Sequence, residues 1–180
     1  MGLDQYLSKK TYVKNWSFHT KEQKHTVTVK KGGKKRTDIN PEKISYIVEE
    51  VMYWRKANQI HNWFVQNVQD GEDNCREHYV EKEKLKELVD TCKKVRDSLL
   101  KSEIKLVQAE VGWANGEKMY DNIEVYTDTE VAEELLPPSP GFFFGSYEFD
   151  KWYLQDIENT INAIEPLLDS DGEFYYDSSW

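Results

Sequence analysis

The stretch that decides the predicted fold is DINPEKISYIVEEVMYWRKANQIHNWFVQNVQDG, residues 38–71. Asn40 suits a helix N-cap, and Pro41 suits the first helical position, where a backbone N–H is not needed. Gly71 suits the end of a helix. The stretch therefore predicts one helix from Pro41 to about Gln69, long enough to form the spine of a domain.

Two further helices follow from the spacing of apolar residues. In residues 81–101, and again in about 150–168, apolar side chains recur three and four positions apart, as on one buried helix face. Cys92 lies on the first of these stripes, which indicates a small core residue and not a disulfide partner for Cys75.

Strands are predicted around the helices, from alternating polarity or short apolar runs. They fall in residues 2–7, 11–13, 26–30, 104–111, 123–126, 142–144 and 172–180. Strands near both ends with helices between them predict a single α+β domain over residues 1–180. Its expected architecture is a long central helix plus two further helices, packed on a small and mostly antiparallel sheet.

The net charge of −9 conceals an uneven distribution. Residues 1–36, predicted as a basic strand and loop region, carry ten lysines and arginines against two acidic residues. Residues 37–180 carry 14 basic and 31 acidic side chains. In one interpretation of this distribution, the basic residues 1–36 and the acidic residues 37–180 simply attract each other. The other is a basic rim, including Lys34 and Arg36, for a phosphate-bearing ligand. Because the pI is about 5.0, nucleic acid is not the expected partner.

The expected location is the cytoplasm. No apolar run approaches the roughly 18 residues needed to span a bilayer, so no membrane contact is predicted. The N-terminus has no basic segment followed by an apolar one, as a secretion signal would have. Two cysteines at a spacing that favours neither a disulfide nor a metal agree with a reducing compartment.

Polar side chains interrupt the apolar stripe of the predicted long helix. At about 100° per residue, Arg55 and Asn58 fall at the centre of the stripe, with Trp54 and His61 on a flank. Such groups need hydrogen-bond partners when buried. In one interpretation the buried face rotates along the helix and these residues are structural.

In that structural interpretation, Arg55 would pair with a carboxylate of another segment, for which Asp150 and Asp156 are the candidates. In the functional interpretation the same residues line a polar pocket. Trp54 would stack on a ring and Arg55 would hold an anion. Asn58 would recognise an amide or base edge, and His61 would donate to a phosphate or act as a base.

The sequence contains no recognised catalytic, nucleotide-binding or metal-binding motif. HExxH, Walker, GxGxxG, GxSxG and zinc-finger spacings are all missing from it, so no metal and no cofactor are predicted. An enzyme hypothesis rests on His61 as general base, with Asp150 or Asp156 as its orienting carboxylate.

Four short segments have distinctive sequences: MGLDQYL (1–7), YWRKANQIHNWF (53–64), GFFFGS (141–146) and FYYDSSW (174–180). Glycines bracketing the third block predict a close approach to another backbone or a ligand, and the aromatic end is expected to dock. Together the blocks resemble a family of small, uncharacterised proteins of tailed phages and prophages. Residues 102–130 look like an insertion relative to its shorter members. The resemblance implies expression in an infected bacterial cytoplasm, where small phage proteins inhibit or divert host systems.

Three functions are open on this basis. The first is a non-enzymatic binder of a small phosphorylated or nucleotide-type ligand, which sequesters a bacterial immune signal. The second is an acidic inhibitor that occupies the nucleic-acid site of a host defence protein, because spaced carboxylates resemble phosphates. The third is a small hydrolase that uses His61. A homo-oligomer with a ligand site at its interface would suit the first function.

Overall fold

A four-stranded antiparallel sheet is the base of the fold in the computed structural model, which describes residues 2–114, 116–141 and 144–180. The strands of the chain are β1 Asp4–Tyr12, β2 Lys30–Lys31, β3 Lys34–Lys35, β4 Tyr46–Arg55, β5 His78–Val80, β6 Ile104–Ala114, β7 Glu117–Tyr126 and β8 Glu173–Ser179. The main sheet has the order β4-β1-β8-β5. The first and last strands of the chain are therefore neighbours, and the aromatic C-terminus docks as predicted.

Helices cover one face of this sheet. They are α1 Asn58–Asn67, α2 Lys82–Leu99, α3 Glu130–Leu135 and α4 Lys151–Ile164, with short 3-10 turns at Pro41–Lys43 and Glu165–Leu167. The α+β class and the helices predicted at 81–101 and 150–168 are confirmed. None of the helices in the described part of the chain is both long and apolar enough to cross a membrane.

The single long helix predicted over residues 41–69 is wrong. A 3-10 turn, strand β4 and helix α1 occupy this stretch, and the chain changes direction at Lys56, which has a φ of 63°. Strand β4 pairs with β1 from Asp4 opposite Arg55 to Tyr12 opposite Tyr46. The β-branched and aromatic residues of β4 suit a pleated surface. The backbone N–H and C=O groups that a helix would pair locally are paired with β1 instead. The apolar spacing of this stretch fits both a helix and a strand, and the pairing with β1 decides for the strand.

The core lies between the inner face of the sheet and helices α1, α2 and α4. Phe64 of α1 stacks on Tyr176 of β8 with ring centroids 3.9 Å apart. Cys92 is fully buried on α2, as predicted, and burial raises the pKa of its thiol to about 12. Both cysteines are free, and Cys75 is exposed.

Two segments extend away from this core. Residues 13–45, here called the excursion, connect β1 to β4 and contain the small β2–β3 hairpin, whose Gly32-Gly33 turn has positive φ at both residues. Of the strand predicted at 26–30, only Lys30 belongs to a strand.

The second segment is the β6–β7 hairpin, here called the arm, which forms most of the predicted insertion. Its two strands confirm those predicted at 104–111 and 123–126. Of the strand predicted at 142–144, Phe142 and Phe143 lie outside the described residues, and Phe144 is buried in an irregular segment.

Candidate functional site

The best-defined polar group inside the fold is a chain of hydrogen bonds through His61 on α1. His61 Nδ1 lies 2.8 Å from the Tyr176 hydroxyl, and His61 Nε2 lies 2.9 Å from Asp73 Oδ2. The Tyr176 hydroxyl donates to Gln5 Oε1 at 3.1 Å, and Gln5 Nε2 donates to the Ala57 carbonyl at 3.1 Å. We call Gln5, His61, Asp73 and Tyr176 the His61 network.

The direction of these bonds determines where the protons of the network lie. The Ala57 carbonyl only accepts, so it orients the Gln5 amide and leaves Gln5 Oε1 as the acceptor for Tyr176. Burial raises the pKa of Tyr176 well above its usual value, and its single proton is donated to Gln5. The Tyr176 hydroxyl and the Asp73 carboxylate thus each hold one ring nitrogen of His61.

These two hydrogen bonds leave His61 without a free ring nitrogen. Its side chain is only 2% exposed, and both nitrogens bond to the protein. A general base must reach the proton that it removes. The arrangement therefore favours a role for His61 in building the site over a role as a base.

A groove of about 390 Å³ lies directly over the network. Helix α1, residues 139–141, Phe144 and the C-terminus border it. Its lining residues are His61, Asn62, Val65, Gln66, Asp73, Ser139, Pro140, Gly141, Phe144 and Trp180. The volume falls within the range of small-molecule sites, about 300–1,000 Å³. The described lining contains no lysine or arginine.

Two aromatic rings and two amides line the groove. The Trp180 side chain is 56% exposed, lies 6.2 Å from the Phe144 ring between centroids, and donates from Nε1 to Asp73 Oδ1 at 3.1 Å. Among the described residues, the amides of Asn62 and Gln66 have no hydrogen-bond partner. The groove therefore offers both a stacking surface and hydrogen-bonding groups.

A second, smaller cavity of about 210 Å³ lies beside the groove and shares Asn62 and Gln66 with it. Its other lining residues are Gln59, Trp63, Asn67 and residues 134–137. The two amides therefore form a ridge between two depressions and are accessible from both.

Asn58 is a structural clamp and does not line the groove. Its amide nitrogen donates to the carbonyls of Phe144 and Ser146 at 3.1 and 2.9 Å, and its Oδ1 accepts from the Ser139 backbone N–H at 3.0 Å. The predicted close approach is confirmed at Gly145, where an added Cβ would lie 2.9 Å from the Lys56 carbonyl oxygen. Asn58 thus holds the segment that forms one wall of the groove.

Trp54 and Arg55 lie on opposite faces of β4. Trp54 is buried in the core, and its Nε1 donates to the Thr160 hydroxyl at 2.8 Å. Arg55 lies on the outer face and donates to Asp4 at 2.9 Å. Asp4 also accepts from the Tyr53 hydroxyl. Of the four residues expected to share a pocket, only His61 reaches the groove.

The remaining predicted residues also lie elsewhere. Lys34 and Arg36 belong to the excursion, where Arg36 pairs with Asp38. Neither Asp150 nor Asp156 is the partner of Arg55, which was the expectation for the structural interpretation. Asp150 is the N-cap of α4 and accepts from the backbone of residues 152 and 153. Asp156 accepts from Gln59 Nε2 at 3.3 Å, and burial raises its pKa to about 7.

Sequence reasoning missed three members of the site: Gln5, Asp73 and Tyr176. Gln5 and Tyr176 belong to segments distant from α1 along the chain, whereas Asp73 lies in the loop that follows α1. Only the pairing of β1 with β8, and the return of the 70–77 loop to α1, bring them to His61. Trp180 was expected to dock, but not to line a groove.

Comparison with protein-family models, with curated proteins and with solved structures finds no match for this chain. The described residues also contain no group of three or more His, Cys, Asp or Glu side chains placed to hold a metal ion. The geometry of the groove and of the exposed surfaces is therefore the evidence for the function of this chain.

Proposed function

We propose that this chain is a non-enzymatic binding protein whose groove takes a small ligand with a flat ring and a hydrogen-bonding edge, of the nucleoside class. The observation that carries the proposal is the exposed Trp180 ring in a groove that the free amides of Asn62 and Gln66 also line. Aromatic stacking contributes about 1–3 kcal/mol per base. Asn and Gln amides pair in two-point fashion with the edge of adenine.

The charges of the groove favour the base and ribose over the phosphate. The Asp73 carboxylate is among the lining residues, and no lysine or arginine belongs to the described lining. A phosphate on the ligand would therefore extend into solvent and add little affinity. In the phage setting that the resemblance implies, the role that we propose is sequestration of a nucleotide-type immune signal.

The test is isothermal calorimetry and thermal shift with the four nucleosides and their monophosphates. A ligand at one hundred times its Kd should stabilise the fold by about 2.7 kcal/mol. We expect one nucleoside to bind, its monophosphate to bind with similar affinity, and mass spectrometry to recover the ligand intact. Chemical change of the ligand would instead establish an enzyme.

Matched tryptophan variants locate the site. Trp180→Ala should abolish binding, whereas Trp152→Ala removes an exposed tryptophan that does not line the groove and should leave binding unchanged. Asn62→Ala should weaken binding, and Arg55→Ala should not. No nucleoside binding by the wild type would contradict the proposal. Loss of binding in Arg55→Ala alone would move the site to the outer face of the sheet.

The outer face of the sheet favours a second candidate, an acidic surface for a basic protein partner. Tyr6 and Tyr53 pack there with ring centroids 5.3 Å apart, and acidic residues surround them on neighbouring strands. Tyrosine is enriched in protein interfaces. If this face mimics nucleic acid, a bound host protein should be displaced by added DNA and should not bind a Tyr6→Ala/Tyr53→Ala variant. Retention by that variant would exclude this surface.

A further inference from the structure

The excursion and the arm each present large apolar side chains to solvent. In the excursion, Trp16 and Phe18 stack with ring centroids 6.2 Å apart, and Phe18 is 77% exposed. In the arm, the register places Ile104, Leu106 and Tyr120 on one face, and Leu106 is 69% exposed. Contiguous exposed apolar groups mark interaction surfaces, and an isolated two-stranded hairpin is marginal in water. Both segments therefore suit a partner.

The two segments carry opposite charge. The excursion, residues 13–45, has nine basic and three acidic side chains, a net charge of +6. The arm with the α3 segment that follows it, residues 103–135, has nine acidic and two basic side chains, a net charge of −7. The ion pairs found in them are local, Arg36 with Asp38 and Glu110 with Lys118.

The segments leave the fold at opposite ends of β4, which spans about 30 Å. The excursion meets β4 at Tyr46, where the Val13 N–H donates to the Ser45 carbonyl. The base of the arm is tied to Phe149 through the Tyr126 N–H, and the neighbouring Ser146 carbonyl is bonded to Asn58, just beyond Arg55. A basic end and an acidic end are thus separated by the length of the sheet.

We propose that two copies of this chain associate antiparallel, with the acidic arm of each copy on the basic excursion of the other. Antiparallel placement lets one two-fold axis satisfy both contacts and close the assembly, whereas head-to-tail association would generate an open filament or a ring. The contact pairs opposite charges and covers the exposed aromatic and aliphatic groups of both segments.

The test is a charge swap, read by light scattering after size exclusion. In one variant, Glu117, Asp121 and Glu124 become Lys; in the other, Lys30, Lys31 and Lys34 become Glu. All six side chains are exposed, and the described ion pairs include none of them, so both variants should keep the wild-type circular dichroism spectrum and Tm.

Wild-type protein at low salt should have twice the 21.3 kDa mass of one chain. Each variant alone should be a monomer, because its altered segment, with a net charge of −1 or 0, no longer attracts the other segment. An equal mixture should recover the dimer, because a mixed pair keeps one wild-type contact between an acidic arm and a basic excursion, and the new lysines of one copy meet the new glutamates of the other. High salt should weaken the wild-type dimer at least tenfold, since screening shortens the range of surface charges to about 3 Å at 1 M.

Two results would overturn the proposal. One is a wild type that stays monomeric at low salt and high protein concentration. If that monomer binds single-stranded oligothymidine through the excursion, then the basic aromatic segment serves nucleic acid and not a second copy. The other is a dimer that survives in both variants, which would place the interface elsewhere.

Discussion

The inner and outer faces of the sheet carry two polar networks built from adjacent residues of the same strands. Gln5 and Tyr176 point inward to His61 and Asp73, whereas Asp4 points outward to Arg55 and to the Tyr53 hydroxyl. Alternation along a strand places neighbours on opposite faces. Residues that are adjacent in the sequence therefore lie in different surroundings and contribute differently to stability.

The difference between the two networks shows which polar residues of this protein contribute to its stability. In the His61 network an unpaired group would stay buried, so the loss of one partner carries the full cost of desolvation. On the outer face, water replaces any lost partner, and Arg55 has 55% of its side chain exposed. Exposed ion pairs of this kind contribute little.

The largest expected effect is that of His61→Ala. The change removes the hydrogen-bond partner that the Asp73 carboxylate has at His61 Nε2 and the one that the Tyr176 hydroxyl has at His61 Nδ1. It should lower the free energy of unfolding by about 3 kcal/mol. Urea unfolding at pH 7 measures it. His78→Ala is the control, because His78 has one bond, to Asn74 at 3.0 Å, and should cost about 1 kcal/mol. An equal loss of unfolding free energy in the two variants would show that the His61 network contributes no more to stability than the bond of His78 to Asn74.

The next largest effect concerns the buried carboxyl group of Asp156 and the pH dependence of stability. Burial raises the pKa of Asp156 to about 7, and its neighbour Asp150 adds to the shift. In an unfolded chain the pKa of this carboxyl group is near its ordinary value of 3.8. The folded state therefore holds the proton more tightly between these values, and stability from this group is greatest at low pH and falls as pH rises toward 7.

Asp156→Asn should remove that loss. We expect the variant to exceed the wild type in urea midpoint at pH 8, with a difference that shrinks as pH approaches 4. Asp169→Asn, which alters an exposed carboxylate, is the control for the loss of one surface charge. A constant difference across this pH range would contradict the assignment to Asp156.

The smallest expected effect is that of Arg55→Ala. The guanidinium is exposed and bonds to Asp4 on the solvent side, so the urea midpoint should match that of the wild type within error, at both low and high salt. A destabilisation comparable with that of His61→Ala would show that the outer network is coupled to the core. The comparison between the two faces would then fail.

Much of the fold was predictable because its signals are local. The stripes of α2 and α4 recur three and four residues apart, the Gly32-Gly33 turn requires positive φ, and the strands of the arm alternate in polarity. The stretch 46–55 was not predictable from its apolar spacing. Ile47, Val48 and Val51 fit one face of a helix, and only the presence of β1 beside them makes the strand the better arrangement.

The candidate site shows the same division. From the sequence alone, His61 and the YWRKANQIHNWF block emerged as the polar interruption of an apolar segment, and the aromatic end was expected to pack. Only the tertiary structure decided that Trp54 and Arg55 face opposite ways and that Trp180 shares a groove with His61. It also decided that Asn58 bonds to Ser139, Phe144 and Ser146. Local patterns determine which residues need partners. Which partners they have depends on strand pairing between the two ends of the chain, and no local pattern records that pairing.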